Sequence, residues 1–416
     1  MRALVFELDH SGHRMQYVRV LIEALGPLAK ELVLFTSVEA AASEEYKTHL
    51  DGVTSSFRLE TRHHRNRGTP LSSALSKLEA FRLALRNCRP DHVFVPYADG
   101  LAQILGAAHM LGAISLPDGV EIEGIVMRGR FAYPPNHWYE RLRTFAWRAA
   151  TIMSPFQILH QLDPIPYAAI KKIGGELSDR NRIIPEPVEA IPRLAAAEAR
   201  RQIGIPTDGR YIINLGSGHV RKGTHLLLQA FARAKLATND HLLLMGKLDP
   251  EIRALVTEQM GPWLRDGRLI IIDQYLSHEL FCLGLNAADV ICAPYPRHVG
   301  SSGIVVRAAA IGKPILASDY GWVGAVVSTF GLGGICPVSN LDQFSNQIRD
   351  SLDNAASFRQ TDEGYRFVRF HTTSNFIAHI TARFRMRIGA TPVTEYLPWE
   401  DVIVGAKNIS PLLANT

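Results

Sequence analysis

LGSGHVRKGTHLLLQAF, residues 215–231, reads as the end of a buried strand, a turn of Gly216-Ser217-Gly218, two cations, Arg221 and Lys222, and then Gly223 and a helix. Glycines let backbone N–H groups come close to an anion, and neighbouring cations neutralise it. The stretch therefore reads as a diphosphate grip, with a plain strand-to-helix turn carrying two surface cations as the other reading. A second stretch, APYPRHVGSSGIVVRAAAIGKPILASDYGW (293–322), repeats the plan. A strand ends at Pro294, and a loop with Gly300, Ser301, Ser302 and Gly303 leads into an Ala-rich helix. The N–H groups of that helix's first turn, from Ser302 through Gly303 and Ile304 to Val305, form an anion site. Ser301 or Ser302 serving as a simple helix cap is the structural alternative.

Outward from these two loops the same rhythm continues. YIINLGS (211–217), HLLLMG (241–246), LIIIDQ (269–274), VICAPY (290–295) and PILASD (314–319) read as strands, with helices near 223–236, 250–260, 277–288 and 303–312. The first half repeats it with ALVFEL (3–8), LVLFT (32–36), HVFVPY (92–97) and EGIVMRG (123–129), and helical spacing near 14–26, 70–88, 100–112 and 137–152. Strands alternating with helices predict parallel sheets covered on both faces. The expected architecture is α/β, two Rossmann-like domains facing a cleft. The expected bounds are 1–190 for the first, a proline-marked linker over 191–209, 210–375 for the second, and a C-terminal helix and tail over 376–416 able to return to the first. The tail beyond about 405 is polar and reads as loose. Ligands are expected beyond the C-terminal strand ends and between the domains.

Composition narrows the function classes. The 416 residues, 47% hydrophobic and 20% charged, exceed one core and imply two domains. No run approaches the ~18 apolar residues of a membrane span, and the N-terminal apolar run is short and closed by Glu7 and Asp9, which suits a strand better than a signal peptide. Four scattered cysteines without a CxxC pair argue against a disulfide framework or structural zinc and fit a reducing cytoplasm. The net charge of +5 includes two basic clusters, Arg58, Arg62, Arg65 and Arg67 around His63 and His64, and Arg128, Arg130, Arg141, Arg143 and Arg148 near Trp138, Tyr139, Phe145 and Trp147. These read either as solvated surface or as contact with anionic lipid or an acidic acceptor, which would put the protein at the inner face of a membrane. They form no continuous stripe, so nucleic acid is not an expected partner. Neither turn carries GxGxxG, which argues against a nicotinamide enzyme.

The ordered motifs point further. RIIPEPVE (182–189), Lys222-Gly223, Ala288-Asp289-Val290 with Pro294, SGIVVRAAAIGKPILASDYGW (302–322) and GLGGICPVSNLDQFSNQI (331–348) together resemble the donor domain of the GT-B glycosyltransferases, above all the retaining family 4 enzymes of the glycosyl transferases group 1. The resemblance spans about 182–350. It implies transfer of a sugar from a nucleoside-diphosphate sugar to an acceptor hydroxyl in glycan, polysaccharide or glycolipid synthesis, with the leaving phosphate accepting the proton. No Asp-x-Asp triplet is present, so neither a metal nor another cofactor is expected. The family's two glutamates, eight positions apart, fall here near His298 or Val299 and on Arg307, and its arginine after the first glycine is Ser217. Arg307 or His219 would then supply cationic contacts. In the first half, DHSGHRMQYVRVLIEAL (9–25) resembles the family's first loop and nominates Gly12 and His13. Asp99 and His137 are the candidate catalytic residues on the acceptor side. A catalytically silent glycosyltransferase-like binding partner and a sugar-nucleotide epimerase of the same fold are the alternatives.

Overall fold

The computed structural model describes residues 1–64, 69–133 and 138–390. His137, Arg65, Arg67 and the polar tail lie outside the described residues. Among those described, every strand pairing is parallel. The strands are β1 (Arg2–Phe6), β2 (Glu31–Ser37), β3 (Arg58–Arg62), β4 (His92–Val95), β5 (Glu121–Val126), β6 (Ile158–Gln161), β7 (Asn181–Ile183), β8 (Arg210–Leu215), β9 (Asp240–Met245), β10 (Leu269–Ile272), β11 (Val290–Ala293), β12 (Ile315–Ser318) and β13 (Gly333–Cys336). They form two sheets, ordered β3-β2-β1-β4-β5-β6-β7 and β10-β9-β8-β11-β12-β13. Both are doubly wound. The order reverses between β1 and β4 in one and between β8 and β11 in the other, and a crevice opens at such a switch point beyond the carboxyl ends of the strands.

The sequence builds these sheets simply. VICA of β11 and ILAS of β12 are buried at every position, as expected of central strands with helices on both faces. The edge strand β3, RLETR, is largely exposed and charged. Charged edges resist pairing with other chains, and the lack of an apolar run hid this strand from the sequence reading.

The chain divides into a first unit, Met1–Pro185 with the chain resuming at Thr373, and a second, Glu186–Thr372. The expected linker over 191–209 is instead part of the second unit. Its helix Ala196–Ile203 carries Arg200, whose guanidinium is buried against Asp289 (Nη2 to Oδ2 2.7 Å), donates to the carbonyls of Ala287, Thr207 and Gly209 at 3.0 Å, and covers the Tyr211 ring. The helix Thr373–Arg387 joins the first unit's core through Phe376, Ile380 and Phe384. Arg383 binds Glu121 there, Nη2 to Oε1 at 2.9 Å.

Inside the first sheet the fully buried Glu123 carboxylate lies between two histidines. His160 Nε2 is 2.7 Å from Oε2, and His92 Nε2 is 2.9 Å from Oε1 in a poorly aligned contact. Burial alone would raise the Glu123 carboxyl. The hydrogen bonds and charge of His160 and His92 outweigh it and pull the group down to about 2.

Candidate active site

In the second unit both glycine-rich loops leave the sheet at its switch point, one from β8 and one from β11. Gly216 has φ +89°, a left-handed conformation suited to glycine, and its N–H donates to the Met245 carbonyl at 2.8 Å. A 3₁₀ turn, Val220–Lys222, follows. His219 holds this turn: Nδ1 accepts from the Arg221 N–H at 2.8 Å and Nε2 faces Asp249 at 3.1 Å. Both ring nitrogens are thus already engaged. Gly223 then takes φ +72°, and a Cβ there would lie 1.8 Å from the Pro294 carbonyl oxygen. Glycine is what lets the first loop press against the second.

The loops meet at one point. A Cβ on Gly216 would stand 3.1 Å from Lys222 Nζ and 3.5 Å from Ile304 Cδ1. The Lys222 ammonium and the first turn of the helix Gly303–Ala310 therefore share the space over Gly216. Lys222 is half-buried and has no hydrogen bond or ion pair among the described residues. Burial, and then the neighbouring Arg221 charge, push its ammonium down to about 8.

The helix end is uncapped. Ser302 is the N-cap residue, yet its side chain makes no capping hydrogen bond; beside it, burial pushes the Tyr295 phenol up to about 12. The Ser301 hydroxyl donates to Glu186 Oε2 at 2.7 Å, and its carbonyl meets His298 Nε2 at 3.0 Å. Arg307 folds back along its own helix, Nη1 donating to the Gly303 carbonyl at 3.1 Å. Ser217 is exposed. Of the residues nominated from the sequence, Gly216, Lys222 and Ile304 come together, whereas Glu186, which holds Ser301, carries no local sequence signal.

In the first unit the polar groups gather at the carboxyl ends of β1, β4 and β5. Arg14 donates to Glu7 Oε1 at 2.7 Å and lies 3.7 Å over the Tyr97 ring. Burial raises the Glu7 carboxyl in spite of Arg14. Gly12 (φ +72°) and His13 form an exposed turn just before the helix Arg14–Leu25. Asp99 accepts from the Met127 N–H at 2.9 Å and the Arg128 N–H at 2.7 Å, so both carboxylate oxygens brace the chain leaving β5. Among the described residues, no three His, Cys, Asp or Glu stand close enough to hold a metal.

Residues 209–354 match the family model described as Glycosyl transferases group 1. The match lies within the second unit, and the two doubly wound units in series give the chain the GT-B fold. Solved structures that share the fold include three of different enzymes or binding proteins. Sucrose-phosphate synthase from Thermosynechococcus elongatus superposes with a TM-score of 0.71 at 17% identity, covering 94% of this chain and 99% of that one. HepE from Anabaena, solved in complex with UDP, gives 0.68 at 14% identity, covering 93% and 100%. WaaG, a glycosyltransferase involved in lipopolysaccharide biosynthesis, gives 0.62 at 14% identity, covering 94% and 100%. No curated protein matches the sequence.

Proposed function

We propose that the second unit grips the diphosphate of a nucleotide-sugar between the Lys222 turn and the start of the helix at Gly303, and that the sugar passes to an acceptor hydroxyl. The observation that carries this reading is the meeting of Lys222 Nζ and Ile304 over Gly216. There a half-buried cation without a partner faces an uncapped helix end. Each supplies positive potential where the leaving phosphate gains charge. Gly216 grants the close approach, Ser217 and Arg221 rim the site, and His219 and Arg307 shape the two loops. A uridine diphospho-sugar is the proposed donor, in keeping with the HepE complexes with UDP and UDP-glucose.

The proposed reaction is retaining and metal-independent. Lys222 and the helix N–H groups take the neutralising task, and the departing phosphate takes the acceptor's proton. Asp99 is assigned a positioning role, because its two oxygens are bound to backbone amides. Gly12 and His13 belong to the acceptor side. The proposed acceptor is a glycan or glycolipid presented at an anionic membrane. That idea is supported by the helix Trp138–Ile152, where Trp138, Leu142 and Phe145 are 74, 66 and 72% exposed. Their spacing of four and three residues aligns them in one stripe, with Arg148 three positions beyond Phe145 on the helical repeat. Incubating the protein with uridine and guanosine diphospho-sugars and following nucleotide release tests the reading. Turnover supports an enzyme, binding without turnover supports a silent partner protein, and no binding removes the basis for both.

A further inference from the structure

We infer that Glu186 is a positioning residue that keeps the anion-binding helix end free of its own serines. The inference rests on the donor reading above. Glu186 is the first residue of the second unit and is buried, although it carries a carboxylate. Pro185 and Pro187 flank it, and a following proline confines a residue to extended backbone. Its N–H donates to Nδ1 of the buried His371 at 2.9 Å. His371 stands beside Trp322, Phe367 and Phe370 and belongs to the segment where the chain leaves the second unit. Backbone and side chain of Glu186 are therefore both fixed, and its carboxylate is delivered to the loop 115 positions later in sequence, where Oε2 accepts the Ser301 hydroxyl at 2.7 Å. The other oxygen, Oε1, faces Gly303, 3.5 Å from where a Cβ there would sit.

The consequence follows from helix-end chemistry. A serine next to a helix start normally turns its hydroxyl onto the free N–H groups. Here Glu186 draws Ser301 away and Ser302 makes no capping hydrogen bond, so the first turn of Gly303–Ala310 keeps its donors for a phosphate. Without Glu186 the Ser301 hydroxyl is free to swing onto the Gly303 N–H and compete with the phosphate. The competition is that of a serine cap, which corresponds to an affinity loss of roughly 2- to 30-fold.

The test is calorimetric titration of uridine diphosphate into the full chain. Glu186→Ala is expected to weaken binding about tenfold. Adding Ser301→Ala to that variant removes the competing hydroxyl and restores affinity, and the conservative Glu186→Gln, which still accepts a hydrogen bond, rescues it as well. A residue that merely stabilised the fold would give no rescue from a second truncation. If Glu186→Ala fails to fold, Glu186→Met keeps the volume, removes the acceptor and takes its place in the comparison. The inference is overturned if the single variant binds like wild type, or if the double variant is as weak as the single. The donor reading itself falls, and this inference with it, if the wild type does not bind uridine diphosphate or if Lys222→Ala binds it undiminished.

Discussion

Lys222 and Gly216 define the site between them: the ammonium stands 3.1 Å from the place a β-carbon on Gly216 would occupy. Any residue with a side chain at 216 would press on the cation and would also have to hold φ at +89°. The cation has no carboxylate partner among the described residues, and it lies beside a helix start that its own serines leave open. Buried polar groups are normally paired, so this local deficit of negative charge is the physical signature of an anion site.

The Lys222 ammonium titrates near 8, below its ordinary 10.5. Between those values the unfolded chain holds more protons than the folded one, so the free protein gains stability as pH rises from 8 to 10.5. Below pH 8 the charge is present, uncompensated until a diphosphate arrives. Uridine diphosphate affinity is therefore highest below pH 8 and falls about tenfold by pH 9, as the cation is lost. Titration calorimetry across this range checks it, and Lys222→Met should bind weakly with no such slope.

Asp99 separates a catalytic from a bracing carboxylate. Its oxygens take the Met127 and Arg128 amides, so Asp99→Ala leaves two donors unanswered and should destabilise the protein by about 1–3 kcal/mol. Asp99→Asn keeps one acceptor and is expected to retain turnover within about tenfold of wild type, the lower end of what losing a general base costs being ~100-fold. Thermal denaturation beside steady-state rates distinguishes the two. A thousandfold loss of kcat in a fully stable Asp99→Asn would identify the base instead.

Much of this architecture is legible in the sequence, for physical reasons. Runs such as VICA and ILAS are apolar on both faces and bounded by Gly or Pro, and they fall within a residue or two of β11 and β12. The grip is legible because its chemistry is local, with Gly216 and Lys222 six positions apart. What is not legible depends on long-range contacts. Pro185-Glu186-Pro187 reads only as a connector until the fold carries the carboxylate to Ser301. The expected linker over 191–209 looks like a connector until Arg200 is seen clamped on Asp289. Neither pairing leaves a periodicity or a motif to read.

Glu123 makes a stability test independent of the donor site. Replacing it by Ala strands two buried histidines and should cost about 3–5 kcal/mol. Its carboxyl is pulled from 4.5 to about 2 in the folded chain. A depressed carboxyl contributes stability that is fully present above 4.5 and is lost as pH falls toward 2. Urea denaturation at pH 7 and at pH 3 should show part of this contribution disappearing in the wild type. Glu123→Gln should lose that component of the slope.

The exposed stripe of Trp138, Leu142 and Phe145 predicts attachment to vesicles rich in anionic lipid. Co-sedimentation should be strong with phosphatidylglycerol vesicles, weak with phosphatidylcholine alone, and weakened by salt. A Leu142→Ser, Phe145→Ser variant should stay in the supernatant while binding uridine diphosphate normally. Equal partition of this variant and wild type would dismiss the membrane role.

The most direct test of the whole account is a crystal structure with uridine diphosphate bound. The phosphates are expected over Gly216, within hydrogen-bond distance of Lys222 Nζ and of the N–H groups at the start of the helix Gly303–Ala310. A diphosphate bound elsewhere, with Lys222 still unpaired, would contradict it.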